Sequence, residues 1–258
     1  MMRTPDAWAV AVRKRDGSIH TERHAVEGPS VRGVFRGPRT IASSLRVGTR
    51  ALRIAIRETS GIEPTAEQTG MTLAAGGAAV LAIFVVAPGL FAPGRGSAAA
   101  AIEATIRLAM LALYLFVVSR SAQARGVLRY HGAEHKAVTA YESLGRLPTA
   151  AEAKAVTPIH MRCGTTFIAL FVITCGVVFA VVPRSPIWLG AIVRIALTPV
   201  VVGLAYEVMR GAAREPRSLW ARAVTWPGRA LQRLTTREPD DHELDVAVAA
   251  LATLLGSS

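Results

Sequence analysis

Apolar residues gather into four long runs, near residues 71–91, 101–119, 165–182 and 187–206. Each has about the length that carries an α-helix across roughly 30 Å of hydrocarbon at about 1.5 Å per residue. The pattern predicts a mainly α, polytopic membrane protein with about four transmembrane helices. Small residues from Ala74 to Ala79 give the first run a face for close helix packing. Pro88-Gly89 and Pro93-Gly94 are expected to end it.

Upstream the period changes twice. Trp8, Val10 and Val12 alternate with smaller residues, Asp16-Gly17 supplies a tight turn, and Ile19 to Val26 returns. That is a small β-hairpin, marginal alone and expected to pack on other cytoplasmic parts. Arg36, Arg39, Arg46, Arg50, Arg53 and Arg57 then recur at spacings of three, four or seven, with Ser43 filling the gap. They form one helical stripe, while Ile41, Leu45, Leu52 and Ile56 fall elsewhere. An amphipathic helix on the inner leaflet, its arginines reaching lipid phosphates, fits this pattern. A surface helix pairing with acids elsewhere in the fold is the alternative.

The chain thus divides into a hairpin region (1–35), a basic amphipathic interfacial region (36–69), transmembrane helices 1–2 (70–119), a cytoplasmic loop (120–164), transmembrane helices 3–4 (165–209) and a basic interfacial segment with a C-terminal helix (210–258). Trp220 and Trp226 give the last part its interfacial character. Asp240 and Asp241 read as caps of the final helix, with Leu244, Val248, Leu251 and Leu255 as its apolar stripe. Glu103 and Arg107 form a self-neutralising i,i+4 pair in the second span. Arg194 in the fourth is expected to snorkel outward rather than pair inside the bundle.

Composition agrees: 51% of the 258 residues are hydrophobic. The net charge of +12 is unevenly placed. Twelve Lys and Arg precede the first run, seven lie between the second and third, and seven follow the fourth. The two short connections hold only Arg95 and Arg184. The positive-inside rule then puts both termini and the central loop in the cytoplasm, in a multi-pass protein of the inner (cytoplasmic) membrane. Anionic lipid headgroups suit this charge. A nucleic-acid partner is not expected, since no nucleic-acid-binding fold is readable and aromatics are only 6%. Cys163 and Cys175 fall about 18 Å apart along one helix and should be free thiols.

The candidate chemistry lies in the central loop. RYHGAEHKAVTAYE (129–142) contains His131, Glu134 and His135 as H-x-x-E-H, the inverted zinc-hydrolase motif: two histidines bind metal and the glutamate acts as base. Gly132 is an awkward helix residue within it. HMRCGTTF (160–167) brings His160 and Cys163 to the same membrane face, and AYEVMR (205–210) brings Glu207. The expected site has Glu134 as catalytic base and His131, His135, Cys163 and Glu207 as ligands. Glu142 and His160 are second-shell or alternative ligands, and a divalent metal, zinc first, is the cofactor. The alternative is a pair of satisfied interfacial histidines with Glu207 paired to Arg210. Thr149 and Glu152 form a capping box between the two motifs.

With MMRTP at 1–5, RYHGAEHK at 129–136, HMRCGTTF at 160–167, AYEVMR at 205–210 and LTTREPDD at 234–241, the chain resembles the YqhQ-like family. This is a bacterial membrane family of unknown function, described as candidate metal-dependent enzymes. The family pattern has a Gly-rich segment before the MMR motif and proline where Met161 stands, so a start further upstream is expected. The resemblance implies a multi-span protein with a metal-dependent activity, and it makes Glu238, Asp240 and Asp241 part of a family motif. Two function classes follow. One is a metal-dependent membrane hydrolase acting at the cytoplasmic face. The other is a non-catalytic regulatory or scaffold protein that binds anionic lipid or a membrane-protein partner.

Overall fold

The hairpin forms where the alternation places it. Gly17 takes φ 86° at the turn, and the Ser18 amide and hydroxyl both donate to Asp16 Oδ1 at 2.9 and 2.7 Å. Strands β2 (Ala7–Arg13) and β3 (Ile19–Ala25) pair antiparallel with Val10 opposite Glu22. A two-residue strand β1 (Met2–Arg3), too short to carry a periodic signal, pairs with the other edge of β2. This computed structural model describes residues 1–26, 36–91, 97–182 and 186–256.

Helices fill most of the remainder. In chain order they are α1 (Arg36–Ser60), α2 (Ala66–Val80) running through a π-helical turn (Leu81–Val86) into α3 (Ala87–Phe91), α4 (Ser97–Arg120) and α5 (Ala122–Leu144). After these come α6 (Ala150–Lys154), α7 (Gly164–Phe179), α8 (Ile187–Arg214), α9 (Leu219–Thr235) and α10 (Asp241–Leu255). Capping boxes at Thr149 and at Asp240 start α6 and α10.

The sheet sorts its side chains by size. Trp8, Val10 and Val12 pack under Val47 and Ala51 of α1. On the opposite face the small Ala7 and Ala9 admit α5 and α10, where Ala133, Ala137, Leu244 and Leu251 share one core. The N-terminal sheet and the C-terminal helix therefore pack on each other.

Among the described residues three helices are long and apolar enough to cross a membrane: Glu67–Gly89, Ala98–Arg120 and Trp188–Arg214. The third predicted run yields only the sixteen residues of α7, about 24 Å at 1.5 Å per residue, so length supports three spans rather than four. α7 lies among α4, α8 and α9 and exposes only Gly164, Ile168 and Val177. Helix α9 is more than an interfacial segment. A β-carbon at Gly228 would stand 2.5 Å from Thr166 Cα, so glycine alone lets α9 lie on α7. Ala221, Thr225, Gln232 and Thr235 bury the same face, while Leu219 and Trp226 stay exposed.

The first apolar helix passes through Pro88-Gly89 instead of ending there, while Pro93-Gly94 lies outside the described residues. Proline has no N–H to give the carbonyl one turn back, and Arg107 replaces it. Its Nε donates to Phe84 O at 2.9 Å and its Nη2 to Val85 O at 3.3 Å. Arg107 also pairs with Glu103, as the spacing predicts. Arg194 does not snorkel: it is 4% exposed and meets the same carboxylate at 3.2 Å. Both guanidiniums face the Phe179 ring, at 5.4 and 5.7 Å from its centre. A carboxylate and an aromatic face inside the bundle satisfy Arg194 more fully than a reach to the interface would.

Glu103→Gln removes the carboxylate that two buried arginines share. It should cost about 3–5 kcal/mol, read as a lowered midpoint of thermal unfolding in mild detergent. An unchanged midpoint would show that the ion network does not hold the spans together.

Candidate metal centre

His131 and His135 lie four residues apart on α5 and share its inner face, as the helical period requires. Each gives its ring Nδ1 to a backbone carbonyl: His131 to Thr235 O at 2.7 Å and His135 to Pro158 O at 2.6 Å. A carbonyl only accepts, so Nδ1 carries the proton in both rings and Nε2 keeps its lone pair. Cys163 Sγ stands 3.5 Å from His131 Nε2. The ligand atoms of His131, His135 and Cys163 all lie within 4.8 Å of one another. Histidines that bind metals are commonly oriented in this way, through the ring nitrogen that does not face the metal.

Cys163 is also the N-cap of α7, and the Thr165 amide points at its sulfur from 3.4 Å. Burial would push this thiol up, but His131 and His135 outweigh it and bring the pKa down to about 5. Burial likewise opposes charge on His131, and the neighbouring sulfur overcomes it and raises the imidazole above its ordinary value. The N-terminus of a helix favours the thiolate in the same sense.

The sequence does not announce what holds the three side chains. Gly132 is buried, and a β-carbon there would overlap the Arg237 carbonyl. The segment after α9 can therefore lie directly on α5, where Arg237 N–H donates to Leu128 O at 3.0 Å and Thr235 O receives His131. Gln232, fully buried, clamps the other side. Its Oε1 accepts from His160 N–H at 2.9 Å, and its Nε2 donates to His160 O and to Thr166 Oγ1, both at 2.8 Å. The loop that ends in Cys163 is thereby fixed to α9 and α7.

Of the other expected residues, Glu134 is partly exposed on the same cleft. The His160 ring lies 5.9 Å from that of His135, and its Nε2 stands 3.2 Å from Glu142, which also pairs with Arg162. Glu207 is not brought to the cluster. Arg36 takes both its oxygens, one at 2.5 Å, with Arg210 at 3.9 Å. Its place is the joint between α1 and α8. The cleft measures about 450 Å³. Its floor carries the three candidate ligands, and Val138, Leu251, Leu254 and Leu255 form an apolar wall.

The arginine row divides. Besides Arg36, Arg53 meets Glu63 at 3.4 Å, and Arg57 meets Glu22 at 2.7 Å and Glu58 at 3.0 Å. Arg50 also has a partner, while Arg39 and Arg46 stand exposed. His20, Glu22 and Glu58 form a second group with metal-ligand proximity. Arg57 and Lys14 already neutralise its two carboxylates, which makes it an ion-pair network. The acids after α9 have structural uses. Glu238 meets the buried Lys136 at 2.5 Å, Asp241 meets Lys154 at 2.6 Å, and Asp240 caps α10 while pairing with Arg129.

Two outcomes test this arrangement. Gly132→Ala should push residues 235–237 off α5, release His131 and weaken metal retention about 10–100-fold in a protein that still folds. Retention at the wild-type level would mean that the crossing does not orient the site. In metal-free protein, Cys163 should alkylate with a pH midpoint near 5 instead of the ordinary 9. The thiolate is lost only as pH falls through the lower value. His131→Ala should move the midpoint upward, and a midpoint near 9 in the wild type would refute the pairing.

A family model, "Protein of unknown function (DUF1385)", matches residues 29–257. The chain is also 30% identical over 278 aligned positions to a Bacillus subtilis (strain 168) protein described as "Uncharacterized protein YqhQ". The alignment covers 96% of this chain and 86% of that one. No solved structure matches. The motifs that carried the resemblance and these two matches agree: the chain belongs to the DUF1385 family of proteins of unknown function.

Proposed function

We propose that this chain is a metal-dependent integral membrane hydrolase, working at the cytoplasmic face of the inner membrane on an amphiphilic substrate. One observation carries the reading: a ring nitrogen from each of His131 and His135 and a thiolate-prone sulfur converge within 4.8 Å, with both imidazole tautomers fixed by backbone carbonyls. Two nitrogens and one sulfur suit zinc and leave room for a further ligand. When bound, such a metal supplies Lewis-acid polarisation of a carbonyl or phosphoryl oxygen. The protein supplies the rest. Glu134 sits beside the ligands to accept the proton of the attacking water. The leucines of α10 take the apolar part of the substrate and exclude solvent.

The placement has independent support. The sheet at the N-terminus and α10 at the C-terminus pack together, so both ends share one side, and an even number of crossings satisfies that. α7 supplies the fourth crossing in this reading. Its neighbours shield most of it, so a length shorter than a lipid-facing helix is acceptable. The arginine-rich segments then lie together on the cytoplasmic side. The second reading is a non-catalytic scaffold, favoured by the exposed apolar and basic faces of α1 and α9. In it the cluster holds a structural metal or none.

Full-length protein purified in mild detergent should carry about one transition metal per chain, lost in a His131→Ala/His135→Ala variant and reduced in Cys163→Ser. Metal in neither protein after supplementation would sink the enzyme and leave the scaffold. Metal that resists chelation in a site closed to small ligands would assign it a structural role.

A further inference from the structure

Helix α1 packs on the sheet along one face and meets α8 at its first turn, and the rest of its surface stays open. Val47, Ala51, Ile54 and Ala55 pack on the sheet. Leu45 and Leu52 stand 60% and 61% exposed on a second face, at a spacing shared by Ile41 and Ile56. The arginine row runs down the third. Its ends are held by acids, Arg36 by Glu207 and Arg57 by Glu22 and Glu58. Arg46, near the middle, makes no ion pair among the described residues.

Beside Arg46 a groove of about 390 Å³ opens between α1, the sheet and the first apolar helix. Trp8, Leu45, Val47 and Leu73 line it together with Arg46 and Arg50. Leu73 is in the second turn of α2, where the first candidate span begins. With that span in a bilayer, the groove falls at the depth of lipid headgroups and the first methylenes of their chains.

We propose that this groove is a site for one anionic phospholipid of the inner leaflet, its phosphate on Arg46 and one acyl chain along Leu45 and Leu73. Charge and shape choose this occupant. A soluble anion would leave the apolar walls in water, and an uncharged apolar ligand would leave Arg46 without a counter-charge. Packing of α1 on the sheet presents the site ready-made, so little ordering is needed on binding. The proposal rests on the reading of α1 as lying at the membrane surface and is independent of the metal.

Native mass spectrometry of the full-length protein in mild detergent, with dioleoyl phosphatidylglycerol or dioleoyl phosphatidylcholine added, tests it. One phosphatidylglycerol per chain should be retained, in clear preference to phosphatidylcholine. Arg46→Gln should reduce retention about fivefold, the loss of one surface arginine's attraction. Leu73→Trp, which fills the groove without touching charge, should reduce it comparably, and Arg229→Gln on α9 should leave it unchanged. Excess glycerol 3-phosphate should not compete. Equal retention of the two lipids, unchanged retention in both groove variants, or displacement by glycerol 3-phosphate would each overturn the site. Metal content of Arg46→Gln should stay at the wild-type level, so this proposal and the metal reading fail separately.

Discussion

The crossing of residues 235–237 over α5 is the contact on which the candidate site depends. Two backbones meet there without a side chain between them, because Gly132 has none. The closeness lets Thr235 O take His131 Nδ1–H and Leu128 O take Arg237 N–H. One turn earlier on α9, Gln232 fastens the His160 backbone. α5, α7 and α9 thus meet through hydrogen bonds that each leave one arrangement, and the imidazoles and the thiol inherit their positions from it. A buried amide with all its groups matched gives specificity of this kind, since any shift strands a polar atom.

Charge follows the same economy. The acids are few, and those after α9 are spent on Arg129, Lys136 and Lys154, which bind α10 to α5 and α6. Glu103 lies within the apolar bundle and serves Arg107 and Arg194 together. Arg107 in turn repairs the helix that Pro88 interrupts, so an ion pair, a proline and a π-helical turn form one unit. The basic excess left on the surface lies beside exposed apolar stripes on α1 and α9.

Features governed by local period or cap chemistry were legible in the sequence: the hairpin and its Asp16-Gly17 turn, the extent of α1, the capping box at Thr149, the Asp240 cap, and the shared face of His131 and His135. Cys163 was legible too, since a cysteine at the mouth of a predicted helix has few places to go. Long-range choices were not. Glu207 could pair with Arg36 or join the histidines, and only tertiary packing selects the arginine, whose fork matches both oxygens. Gln232 has no local signature as a clamp, and the buried face of α9 was hidden behind its tryptophans and arginines. Gly132 looked like a flaw in a helix, and the reason for it is a backbone a hundred residues away. The motif at 234–241 was the available clue, because three acids exceed what one cap requires.

The shortness of α7 follows from the same packing. A helix facing lipid on all sides must match the hydrocarbon thickness, whereas one enclosed by α4, α8 and α9 need only match its neighbours. That frees its first residue to be set by the clamp, with Thr166 bonded to Gln232 and Thr165 to Thr235 at 2.9 Å. Cys163 then caps a helix whose N-terminus cannot slide, directly beneath the two imidazoles. The enclosure of α7 and the close approach of sulfur to nitrogen are two consequences of one constraint.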